Sequence, residues 1–226
     1  MNHPLIIGAG GVASYLLPVL LKTFHPEKVT IVDKDTLEER NLDRQLFDQA
    51  DIGKNKAAAL AYKHGLQAIP EWFTTSTTLP DNIDAIICCA DNHEARFAAI
   101  QSAELHQVYC YLGGNEYIDS QALVWHADWK GKPHDLLQRY KTIATDKTGS
   151  PFRCTGDAQV VHPQLAMANM HCAAKLCHLM WIYERWLPQQ KFPTSQDRQN
   201  LLPYLPVEFY STTLTNTSDC LSSLTC

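Results

Sequence analysis

The chain has 226 residues, 45% of them hydrophobic, and a formal net charge of −5. That length and apolar content suit one domain over residues 1–226 with a good core. The acidic balance excludes a general attraction to nucleic acid or to anionic membrane surfaces.

In chain order, apolar runs of strand length alternate with amphipathic stretches. Pro4 to Gly8 reads as a strand and Gly11 to about His25 as a helix, with a kink expected at Pro18. The apolar stretch Val12 to Leu21 is too short to cross a bilayer and reads as buried helix. Lys28 to Asp33 is a second strand, and the alanine-rich run from Gly53 to about Leu66 is a helix. Ala85 to Ala90 is a continuous apolar strand of the kind covered on both faces. Asn92 to His106 reads as a helix, Val108 to Gly113 as a strand, and Ser120 to His126 as another strand. This alternation predicts an α/β fold with a parallel sheet and right-handed crossovers. The polar segment Asp128 to Gly156 has few apolar anchors and reads as a long loop, functional or mobile. A helix rich in Ala, Met and Leu follows from Pro163 to about Trp186, and a further strand reads over Val207 to Leu214. Met1-Asn-His-Pro4 lacks a basic n-region, so no signal peptide is expected and the location implied is cytoplasmic.

Eight cysteines fit reduced thiols in that setting. Cys88 and Cys89 are adjacent in an apolar run and point to opposite faces of a strand. Cys154, Cys172, Cys177, Cys220 and Cys226 form no close Cys-x-x-Cys pairs, so no zinc is expected.

Gly8-Ala-Gly10-Gly11 lies between the first strand and the first helix, where glycines let a phosphate approach the backbone and the helix N-terminus supplies positive charge. Asp33 ends the second strand, where a carboxylate can accept ribose hydroxyls. A nicotinamide dehydrogenase would carry much the same pair. The segment that follows separates the two classes: Asp33-Lys-Asp35, then Asn41-Leu-Asp-Arg44-Gln45, then Gly53-Lys-Asn-Lys56. A planar guanidinium and a point-charge ammonium suit the charge that develops when the α-phosphorus of ATP is attacked and pyrophosphate departs. Asp91-Asn92 closes the apolar strand, with Arg96 beyond, and a carboxylate there suits magnesium. Singly, Arg44 and Lys56 would read as surface charges and Asp91-Asn92 as a helix cap. Their order and spacing point to a site.

From Leu5 to about Gly114 these motifs resemble the ThiF/MoeB/HesA superfamily, which includes the adenylation domains of ubiquitin-activating enzymes. The resemblance implies a Rossmann-like, mostly parallel sheet flanked by helices, with a mixed C-terminal extension. It assigns residues 1–114 to nucleotide binding and 115–226 to substrate binding and dimerisation. It implies that Asp33 binds ribose, that Asp91 binds magnesium, that Arg44 and Lys56 hold the phosphates, and that Asn41 and Gln45 complete the pocket. Gly8, Gly10, Gly11, Asp35 and Asn92 belong to the same ATP-binding set. The reaction implied joins AMP from ATP to the C-terminal carboxylate of a small ubiquitin-like or sulfur-carrier-like protein and releases pyrophosphate, with Mg2+ as cofactor and a homodimer as the assembly.

Three departures stand out: Ala13 where many relatives have glycine, no arginine-bearing helix before the first strand, and no paired zinc cysteines. Cys154, beside Arg153 in the polar segment, is the candidate for a thioester-forming transfer step. Two further readings stay open: a tRNA threonylcarbamoyladenosine dehydratase-like enzyme, against which the acidic charge weighs, and a catalytically weakened nucleotide-binding scaffold.

Overall fold

The computed structural model describes residues 1–115, 119–145, 165–194, 197, 201 and 205–211. A seven-stranded sheet forms its centre, in the order β3-β2-β1-β4-β5-β6-β7. The strands are β1 (Pro4–Ile7), β2 (Thr30–Val32), β3 (Gln67–Ile69), β4 (Ala85–Cys88), β5 (Tyr109–Asn115), β6 (Ser120–Trp125) and β7 (Glu208–Ser211). The first five pair in parallel, whereas β6 and β7 join antiparallel. The chain winds outward from β1 through β2 to β3, then crosses back to place β4 on the other side of β1. That reversal makes a switch point, and in open α/β sheets ligands bind in the crevice beyond the strand ends there.

Strands β1, β2 and β4 are buried at every position, as continuous apolar runs require when helices cover both faces. On one face α1 (Gly11–Phe24), α2 (Lys56–His64) and α6 (Ala166–Met180) cover Ile6, Ile31, Ile87, Tyr111 and Val124. On the other, α3 (His93–His106), α4 (Leu136–Arg139) and α5 (Thr142–Thr145) cover Leu5, Ile7, Ile86, Leu112 and Trp125. Cys88 and Cys89 divide between these two clusters, as alternation along a strand demands.

Several boundaries differ from expectation. Helix α1 runs unbroken through Pro18 to Phe24. Strand β3 has only three residues, none fully buried, too short to carry a periodic signal. The expected loop after β6 is instead packed through residue 145, because Trp129, Leu136 and Ile143 are buried. Asp135 ties that segment down by accepting from Trp125 Nε1 at 3.1 Å and from the Gly131 and Leu137 N–H groups. Helix α6 passes into a π-helical stretch, Trp181–Trp186, and helix continues to Gln189, past the end read from sequence, while the expected start at Pro163 lies outside the described residues. Among the described residues no helix is long and apolar enough to cross a membrane.

Candidate functional site

Gly8 follows β1 with φ +90°, and a Cβ there would lie 2.9 Å from the backbone nitrogen of Ala90 at the end of β4. Only glycine fits that position. Gly10 forms the N-terminal boundary of α1 with open space where a Cβ would sit. No side chain caps α1 and no acid lies in its first turn, so its positive end is left without a side-chain partner, as an anion site requires. Asp33 anchors the turn: Oδ2 accepts from the Ala9 N–H at 2.6 Å and Oδ1 from the Asp35 N–H at 2.7 Å. Burial pushes its carboxyl above the usual range, against the pull of those two N–H donors. Each oxygen keeps a further lone pair for a hydroxyl donor.

Lys56 is the first residue of α2 and only 8% exposed, with Nζ 3.5 Å from Asp35 Oδ2. A cation at a helix N-terminus opposes the helix dipole, so its placement is not explained by helix stability. Asn55 supplies the cap itself, accepting from the Ala58 N–H, while its Nδ2 donates to the carbonyls of Asp33 and Asp35. Asn55 thereby joins α2 to the ribose-side turn. Sequence reasoning assigned it no role, although an asparagine before an alanine-rich run is a cap signature.

Arg44 is 9% exposed, and its Nη1 donates to the Arg40 carbonyl at 2.7 Å and to Asp43 Oδ1 at 2.9 Å. Gln45 beside it is buried, and its Oε1 has no hydrogen-bond partner among the described residues. Buried oxygens are normally satisfied, so this one awaits a donor. Asn41 is buried too, but its Oδ1 closes a local turn by accepting from the Glu38 N–H. Ser14 in α1 pins the segment to the glycine turn: its Oγ accepts from the Leu46 N–H and donates to the Gly11 carbonyl.

Across the switch point, Asn92 caps α3 by accepting from the Ala95 N–H at 2.8 Å, and half-buried Asp91 lies just before that cap. Arg96 bridges the ends of β4 and β5 through the carbonyls of Ala90 and Gly113. Among the described residues no group of three or more His, Cys, Asp or Glu converges to hold a metal. One carboxylate still fits magnesium, which commonly takes one or two from protein and the rest from phosphate and water.

Cys154 lies outside the described residues, as do Cys220 and Cys226. Cys172 and Cys177 are buried in α6, where burial pushes both thiols up to about 12, far from nucleophilic.

A model of the ThiF family matches residues 2–200. The chain belongs to the ThiF family. In general terms family membership supports an adenylyltransferase-like domain in this chain. Among solved structures, the crystal structure of selenomethionine PaaA superposes with a TM-score of 0.58 at 16% identity, covering 95% of this chain and 62% of that one. That likeness concerns the fold, and this ThiF chain spans less than two thirds of the PaaA chain. No curated protein matches it.

Proposed function

We propose that this chain uses ATP to adenylate the C-terminal carboxylate of a small ubiquitin-like or sulfur-carrier-like protein, releasing pyrophosphate. The observation that carries the reading is two nearly buried cations, Arg44 and Lys56, tied to the glycine turn beside an unsatisfied Gln45 oxygen. A buried cation costs several kcal/mol in desolvation, which an anionic ligand would offset. Asp33 would hold the ribose hydroxyls. The amides at the start of α1 would face phosphate oxygens, while Arg44 and Lys56 neutralise the charge that builds up as pyrophosphate leaves. Asp91 would hold magnesium, which supplies further charge neutralisation at the phosphates.

Two finer steps extend this reading. Cys154 would attack the acyl carbon of the adenylate as thiolate, forming a thioester and releasing AMP. A homodimer would assemble in part on α6. Most of that helix's apolar surface is buried within the chain, but Met167 and Met170, and Trp181 at the start of the π-helical stretch, stay nearly half exposed.

Ligand specificity tests the core of the proposal. ATP with magnesium at a hundred times its dissociation constant should stabilise the fold by roughly 2.7 kcal/mol, read by thermal unfolding. A larger stabilisation by NAD would overturn it. ATP binding without pyrophosphate exchange, with the cognate small protein present, would leave a nucleotide-binding scaffold.

A further inference from the structure

Helix α6 packs along α1, and its buried side is built mainly from Ala, Cys, Leu and Met. Asn169 interrupts that side at 1% exposure. Asparagine is a poor helix former, and burying its amide is costly unless every contact is used. Both ends of its carboxamide are bonded. Nδ2 donates to the Arg44 carbonyl at 2.8 Å, and Oδ1 accepts from Asn115 Nδ2, at the end of β5, at 2.7 Å. The same amide lies against the first residue of α1. A Cβ on Gly11 would come within 2.3 Å of Asn169 Nδ2 and 2.4 Å of its Oδ1. Three separate parts of the site meet on one side chain: the start of the phosphate-facing helix, the backbone of Arg44 and the end of β5. A leucine here would fill the space and an alanine would vacate it, but neither would hold any of them.

We propose that Asn169 is a positioning residue that sets Arg44 against the triphosphate, so that it governs the preference for ATP over AMP. This rests on the ATP-binding reading above. It also gives Gly11 a reason beyond backbone freedom. Its φ is not left-handed, and what forbids a side chain there is the Asn169 carboxamide.

The experiment compares dissociation constants of ATP and AMP, each with magnesium, by calorimetry on the full chain. AMP retains the ribose and base but lacks the two outer phosphates. Asn169→Ala should cut the AMP-to-ATP ratio of dissociation constants by roughly ten-fold or more, the loss falling on ATP while AMP changes little. A residue with only a packing role would weaken both nucleotides alike. Gly11→Ala should lower the ratio the same way by displacing the amide from Arg44. In the Asn169→Ala background, where the space is vacated, it should add little, so that the double-mutant cycle is strongly non-additive. If Asn169→Ala does not fold, Asn115→Ala releases the Asn169 oxygen without altering α6 and should shift the ratio in the same direction. Equal weakening of both nucleotides, an unchanged ratio, or additive effects would overturn the role of Asn169. Wild-type protein that binds neither nucleotide would instead bring down the ATP reading itself.

Discussion

Two polar regions border the sheet, and they use their charges differently. At the antiparallel edge, Glu208 on β7 takes three donors: Oε1 accepts from Gln121 and from the Tyr140 hydroxyl, and Oε2 from Arg139 at 2.9 Å. Burial alone would raise its carboxyl, but those donors more than offset it and hold it below the usual range. At the switch point Arg44 is paired with Asp43, but its neighbours are less completely used. Lys56 meets its carboxylate only at 3.5 Å, and the Gln45 oxygen has no partner among the described residues. A closed network stabilises the fold, whereas an incomplete one beside an uncapped helix end is suited to a ligand. Burial is deeper at the switch point, where Arg44 and Lys56 are buried while Glu208 is half-buried and Arg139 exposed, and satisfaction is less complete there.

The largest expected effect would break or confirm that contrast directly. Arg44→Ala should weaken ATP by roughly ten- to a hundred-fold, since a hydrogen bond to a charged group contributes about 1.5–3 kcal/mol. Glu208→Ala should cost about 1–3 kcal/mol of folding stability with ATP affinity unchanged, because it leaves its donors unsatisfied. Calorimetric titration with parallel urea unfolding separates the two. A loss of ATP affinity in Glu208→Ala would erase the distinction between the regions.

Within the glycine turn the same division applies. Gly8→Ala places a Cβ against backbone in a left-handed conformation and should cost roughly 1–3 kcal/mol. Gly10→Ala meets open space at φ −85°, so stability should stay within about 0.5 kcal/mol while nucleotide binding suffers from the intruding methyl. Melting temperatures with and without ATP would show it.

At the end of β4, adjacent residues should part company. Asn92→Ala removes the cap of α3 and should cost about 1 kcal/mol. Asp91→Ala should leave the melting temperature nearly unchanged and remove the magnesium-dependent share of ATP stabilisation. Equal destabilisation by both would make Asp91 structural.

A last effect lies far from the crevice. Glu184 accepts from the Tyr111 hydroxyl at 2.9 Å, and burial pushes its carboxyl up to about 7 from 4.5. The folded state therefore retains a proton that the unfolded state releases. This contribution is fully present below about pH 4.5 and is lost as pH rises through 7. Glu184→Gln keeps the acceptor for Tyr111 and should flatten the fall in stability between pH 5 and 8. Parallel slopes for the two proteins would refute the assignment.

What residue order alone determined is local. The glycine turn, the acid after the second strand, the caps and the buried strands depend on backbone torsions and on neighbours a few residues away. The parallel α/β sheet follows from their alternation, and Arg44 and Lys56 were legible through their spacing from Asp33. The packed segment after β6 was not, because its anchors Trp129, Leu136 and Ile143 are too sparse to show a period and are buried only by distant elements, Trp129 against Tyr109 and Tyr183, Leu136 and Ile143 in the cluster beneath α3. Tertiary structure also separated roles that sequence had pooled, turning the Asn41 oxygen to its own turn while the Gln45 oxygen was left unsatisfied. Asn169 lay beyond reach altogether. It touches Arg44 across 125 positions of chain, and one asparagine among alanines and methionines says nothing about its neighbours until α6 is laid along α1.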